Sequence, residues 1–144
     1  MQTQVSTYSF DNCVAVWGPI LFSGFAKGSV IKISKPETKQ VTSVQGNDGF
    51  VARAVRRHSP LRSYEFTLLQ TSETNELLSA QAEIDRLTGQ AVYPLVIKDL
   101  NGTTLYESPQ AWIAERPEGE FSNEVTNRVW TFEGVTLEHE GMNA

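Results

Sequence analysis

Tyr64-Glu65-Phe66-Thr67-Leu68-Leu69-Gln70-Thr71-Ser72-Glu73-Thr74-Asn75-Glu76-Leu77-Leu78-Ser79-Ala80-Gln81-Ala82-Glu83-Ile84-Asp85-Arg86-Leu87-Thr88-Gly89 is the stretch on which the fold turns, because its periodicity changes in the middle. Tyr64, Phe66 and Leu68 alternate with Glu65, Thr67 and Leu69, the period of two that marks a strand. Ser72 then offers a helix N-cap, and Glu73 and Glu76 place carboxylates in the first turn, where they complement the helix dipole. Leu77, Ala80, Ile84 and Leu87 follow at spacings of three and four, which predicts one apolar stripe docked on a core. Gly89 supplies the stop. A strand thus runs into a helix over about residues 72–88.

Most of the remaining chain reads as strand. Residues 5–17 alternate, with Tyr8, Phe10, Val14 and Val16 expected on one side and Thr7, Ser9, Asp11 and Cys13 on the other. Gly18-Pro19 ends that run as a turn, and Ile20–Phe25 and Ser29–Ser34 are further short strand candidates. Residues 35–62 read as a long loop or extended hairpin around Gly46-Asn47-Asp48-Gly49. Ala91–Asp99 and Thr103–Ala114 flank Asn101-Gly102, a strong hairpin signal. Pro94 requires an edge, a bulge or a strand start, and the strand from Thr103 is expected to be interrupted near Pro109. Glu124–Glu138 has large apolar groups on both faces, with Val125, Val129, Val135 and Leu137 opposite Trp130 and Phe132. Such a strand is either buried twice or faces a neighbouring subunit. The expected fold is mainly β, a sandwich or barrel with one flanking helix, forming one domain over residues 1–144.

Bulk properties narrow the function. The chain has 144 residues, 40% of them hydrophobic, with seven Phe, four Tyr and three Trp, which is ample for a packed core. One cysteine, Cys13, allows no internal disulfide and reads as a buried, inert thiol. The N-terminus lacks the basic and apolar regions of a signal peptide, and no apolar run nears the roughly 20 residues that cross a bilayer. Synthesis in a reducing cytoplasm and no membrane partner are the expectations. The net charge of −5 argues against a dedicated nucleic-acid binder. That charge is unevenly spread: residues 1–72 carry eight basic and four acidic groups, and residues 73–144 carry four and thirteen. The two halves are expected to form complementary surfaces between copies of the chain.

No catalytic constellation emerges. His58 and His139 have no partners at metal-site spacing, and Glu115, Glu118 and Glu120 surround Pro117 and Gly119 in what reads as an exposed acidic loop. No nucleophile elbow or phosphate-binding glycine loop is present. Neither enzyme, metal nor cofactor is expected. The basic cluster Arg53, Arg56, Arg57, His58 and Arg62 lacks interleaved aromatic platforms for nucleic acid, so it reads as a partner-facing charged segment.

An ordered series of short blocks gives a family resemblance over nearly the whole chain. Thr7-Tyr8-Ser9-Phe10, Gly18-Pro19, Ile31-Lys32-Ile33, Gly46-Asn47-Asp48-Gly49, Phe66 through Ser72, Asn75, Leu77-Leu78, Val96 through Gly102 and Trp130-Thr131-Phe132 occur in the order and spacing of the tail-tube proteins of contractile-tailed bacteriophages. The chain resembles their small phage structural protein branch, although Glu73 stands where that family often has proline. The resemblance implies a virion component without enzymatic activity. Its subunits would form hexameric rings stacked into a tube, and the lumen would pass double-stranded DNA without binding it. Sheath, baseplate and tail-terminator proteins would be the other partners. By the same resemblance, Lys39, Asp48, Arg53, Arg56, Arg57 and Arg62 are candidates for contacts between rings, and Thr7, Ser9, Asp11, Glu107 and Glu133 for the lumen wall. A tube initiator, a tail terminator and a contractile-bacteriocin tube are the related readings, and a cytosolic β-sandwich binding module is the unrelated one.

Overall fold

A computed structural model describes residue 5 and residues 7–28, 30–35, 41–55 and 61–143. In chain order the strands are β1 (Cys13–Trp17), β2 (Ile20–Leu21), β3 (Ile31–Ser34), β4 (Val41–Gln45), β5 (Val51–Val55), β6 (Leu61–Leu69), β7 (Tyr93–Asp99), β8 (Leu105–Glu115) and β9 (Asn127–His139). The helix α1 (Glu73–Thr88) lies between β6 and β7. Seven strands form one antiparallel sheet in the order β2-β1-β7-β8-β9-β6-β3. Strands β4 and β5 pair only with each other.

The sheet is curled. Trp17 on β1 and Phe132 on β9 are three strands apart, which in a flat sheet would separate them by about 14 Å. Their ring centroids lie 5.0 Å apart. Phe22 closes the gap, stacking on Phe66 at 4.3 Å and meeting Phe132 edge-on at 5.8 Å. This aromatic cluster, with Tyr64, Leu68, Leu78, Leu95 and Trp130, is the core on the concave side of a half-barrel. The indole N–H of Trp17 donates to the Ala111 carbonyl at 3.0 Å. That of Trp130 donates to Asn75 Oδ1 at 2.9 Å, tying the helix to the sheet. A buried indole needs such a partner, so both tryptophans are fixed in direction as well as position.

The helix has its expected ends. Ser72 Oγ accepts from the Thr74 amide at 3.2 Å, and Gly89 caps the C-terminus at φ +67°, a left-handed conformation that glycine takes without penalty. Its docked face is not the expected one. Thr74, Leu78 and Ala82 are buried, whereas Leu77, Ala80, Ile84 and Leu87 are exposed. Two hydrogen-bonding side chains decide the rotation: Thr74 Oγ1 accepts from the Ser23 amide and Asn75 holds Trp130, so the polar N-terminal turn faces the sheet.

Other local readings shift as well. Phe10–Asn12 form a 3-10 turn, so β1 starts only at Cys13 and buries Ala15 and Trp17 instead of Val14 and Val16. Cys13 is half-buried, with its thiol 3.6 Å from the Tyr8 hydroxyl. Asn101-Gly102 does join β7 to β8, but the turn is organised by Asp99. Its Oδ1 accepts from the Asn101 amide at 3.0 Å, and its carbonyl accepts from the Gly102 amide at 3.1 Å. Pro94 and Pro109 both coincide with register shifts. At the second of these, Gly134 faces the bulge so closely that a Cβ there would stand 2.6 Å from Ser108 Oγ and 3.0 Å from the Gln110 carbonyl oxygen. Any larger residue at 134 would push β8 off β9.

The charge halves do not form separate surfaces. Strands β7, β8 and β9 from the acidic half occupy the middle of the sheet, flanked by first-half strands on both sides. Arg62, expected in an exposed loop, is buried on β6 and grips Glu138 of β9 through Nε at 3.2 Å and Nη2 at 3.3 Å. Lys35 reaches the same carboxylate at 3.1 Å. Burial pushes the Glu138 carboxyl up, but Arg62 and Lys35 more than offset it, holding its pKa below the ordinary value. A depressed carboxylate contributes stability above its unfolded pKa of about 4.3 and loses it as pH falls through the folded value. Glu138→Gln is therefore expected to cost about 1–3 kcal/mol in urea unfolding at pH 7, because Arg62 loses its charged partner. The gap from wild type should close below about pH 4.

Candidate functional site

Among the described residues no group of three or more His, Cys, Asp or Glu could hold a metal ion, and no helix is long and apolar enough to cross a membrane. The conspicuous surfaces are apolar, exposed and arranged in three groups.

The first is the β4–β5 hairpin. Val41 pairs with Val55, Ser43 with Arg53 and Gln45 with Val51, in regular antiparallel register. The tip closes through the Gly46 amide to the Phe50 carbonyl at 2.8 Å, with Asp48 Oδ1 accepting from the Phe50 amide at 3.4 Å. All of β5 is exposed; Phe50 is 77% exposed and Val44 71%. A two-stranded hairpin covered only at Val41 and Thr42 is marginal in water, so its exposed side chains call for a second surface.

The second is the convex face of the sheet. Strand alternation and the observed register put Leu61 and Glu65 of β6, Glu107 of β8, and Val129, Glu133, Val135 and Leu137 of β9 on this side. Leu137 is 68% exposed, while its neighbours Trp130, Phe132 and Thr136 on the other face are buried. Of the two possibilities raised by the mixed pattern of β9, burial on both faces within the chain is excluded. The third group is the outward stripe of α1, Leu77, Ile84 and Leu87. Beside it Glu83 is held by Arg86 at 2.6 Å and Arg116 at 3.0 Å, and these hydrogen bonds, that from Arg86 foremost, lower its carboxyl to about 2.

The expected site residues fall out unevenly. Asp48 and Arg53 sit on the hairpin as anticipated, and Arg53 is exposed. Arg62 is withdrawn as a loop contact by its buried pairing with Glu138. Glu107 and Glu133 share the convex face. Thr7, Ser9 and Asp11 precede β1 instead of lining its polar side, and Ser9 caps the 3-10 turn by accepting from the Asp11 amide. Lys39, Arg56 and Arg57 lie outside the described residues. The exposed apolar groups of the hairpin and helix were missed because an apolar stripe carries no label saying whether its own chain or another covers it.

The described residues thus leave three apolar surfaces bare. Over 123 residues it is 32% identical to "Structural protein ORF10" of Pseudomonas phage KPP10, across 83% of this chain and 70% of that protein. It belongs to that family of phage structural proteins. No protein-family model matches the chain. Its fold is shared with two solved proteins of contractile systems. One is the tube-terminating cap of the anti-feeding prophage, at TM-score 0.60 and 10% identity over 96% of this chain and 93% of that one. The other is the PVC sheath/tube terminator in its extended state, at TM-score 0.60 and 12% identity over 96% and 99%. The phage structural protein is thus not an enzyme, and its half-barrel with one helix is the architecture of these caps.

The face assignment of α1 is directly testable in the phage structural protein. Replacing Leu77, Ile84 and Leu87 together by Ser should change unfolding stability little, within roughly 0.5 kcal/mol per site, while lowering self-association in sedimentation runs. Leu78→Ala, one residue away, should cost about 2–5 kcal/mol.

Proposed function

We propose that this chain is the tube subunit of a contractile phage tail, forming hexameric rings that stack into a conduit for double-stranded DNA. The observation that carries this reading is the β4–β5 hairpin. It pairs with no other strand and leaves Val44, Phe50, Val51 and Val55 exposed, as a part does that is completed by a neighbouring subunit. The family membership supports a virion component, and the ordered blocks from Thr7-Tyr8 to Trp130-Thr131-Phe132 support a tube protein within that class. In this reading the hairpin reaches the next ring, with Asp48 and Arg53 among its contacts. Strand edges at β2 and β3 pair or pack laterally, which removes the hazard of an open edge. Glu107 and Glu133 on the convex face are the remaining lumen candidates. A carboxylate-bearing wall repels phosphate, so DNA would slide past without counterion release holding it. Sheath protein would bind outside, and baseplate and terminator proteins at the two ends.

A second reading has specific support. The two solved neighbours are terminators and the likeness spans nearly the whole chain, which favours a subunit that closes the tube. Negative-stain images of purified protein over rising concentration separate the two. A tube subunit gives particles many rings long with a constant lumen, lengthening as salt is varied toward the assembly optimum. A terminator gives discrete single rings that never lengthen. A strict monomer at every concentration and salt overturns both.

A further inference from the structure

The mouth of the half-barrel holds a feature that neither reading uses. Between β3, β7 and the start of β8 lies a cavity of about 260 Å³, walled by Tyr8, Phe10, Ile31, Ile33, Ile97 and Tyr106, with Asp99 at its edge. Asp99 is 95% buried, its relative exposure being 5%. Its Oδ1 accepts from the Asn101 amide, but its Oδ2 has no hydrogen-bond partner. Lys98, which also lines the cavity, is exposed and forms no ion pair with Asp99. A buried carboxylate oxygen without a donor is costly and marks a missing group.

We propose that this cavity is a receptor for a guanidinium, filled in the assembled particle by an arginine side chain of a neighbouring chain. The chemistry selects that class. Aromatic and aliphatic walls suit a flat, weakly hydrated cation carried on an apolar stem, and tyrosine and phenylalanine faces attract it further. A planar fork can donate to Asp99 Oδ2. A metal ion is disfavoured, since no group of three His, Cys, Asp or Glu converges among the described residues. The cavity is smaller than the 300–1,000 Å³ of ordinary small-molecule sites. Arg53, exposed on the free hairpin, is the arginine that a second copy would most readily present. The receptor itself does not depend on which part of the tail the chain forms.

Propylguanidinium chloride titrated into the ¹⁵N-labelled soluble chain tests this. Saturable shifts at the Ile97 and Asp99 amides are expected, with none from the neutral isostere propylurea. Asp99→Asn keeps an acceptor for the Asn101 amide and should bind about tenfold more weakly or worse. If that variant does not fold, the contrast between the two ligands in the wild-type chain decides alone. Equal response to both ligands means the cavity does not select the cation, and no saturable response means that it takes neither; either result overturns the proposal. Sedimentation in the presence of propylguanidinium identifies the donor: lowered self-association places it on a second copy, and unchanged association on a different protein chain.

Discussion

Closure of one curled sheet over an aromatic cluster is the constraint from which the rest follows. Trp17, Phe22, Phe66 and Phe132 come from β1, the segment after β2, β6 and β9, and they can touch only if the sheet bends. The bend is helped by the bulges at Pro94 and near Pro109 and by Gly134, which lets β8 and β9 approach at the second bulge. All the apolar material that closure can use is on the concave side. A single curled sheet has no second sheet to cover its convex face, so Val129, Val135 and Leu137 remain bare. The exposed surfaces are a consequence of the architecture and not defects of it.

Charge does different work from what its linear distribution suggests. Bases in surplus over the first half of the chain and acids over the other half would suit head-to-tail contact between copies. Antiparallel pairing of β6 with β9 instead brings the halves together inside one chain, and Arg62 and Lys35 are balanced by Glu138 and Glu140 at that seam. Desolvated Arg62 makes the seam sensitive to loss of its partner in a way an exposed pair would not be. What is left for other chains is smaller and more local: Arg53 on the hairpin and the unpartnered oxygen of Asp99.

Much of this was legible in the sequence where short-range physics decides. The strand from Tyr64 to Leu69, the helix with its Ser72 and Gly89 ends, the hairpin around Gly46–Gly49 and the proline bulges all follow from local periodicity, capping and turn chemistry. What failed was rotation and phase. The apolar stripe Leu77, Ala80, Ile84 and Leu87 was the stronger hydrophobic pattern, yet Thr74 and Asn75 turned the helix the other way through specific hydrogen bonds. One 3-10 turn at Phe10–Asn12 reversed which side of β1 points inward. Arg62 looked like part of a basic loop because nothing nearby in sequence announces Glu138, 76 residues away. The assembly surfaces share that limitation, since a bare apolar face and a core face are written in the same residues.

In the proposed assembly the bare hairpin and the outward stripe of α1 are completed by other protein chains. Hydrogen exchange followed by mass spectrometry, comparing dilute protein with the assembled particle, measures this most directly. The amides of Val41–Gln45 and Val51–Val55 are expected to exchange quickly in dilute protein and become strongly protected on assembly, while those of β6 and β9 are protected in both. Unchanged, rapid exchange of the hairpin in assembled particles would contradict it.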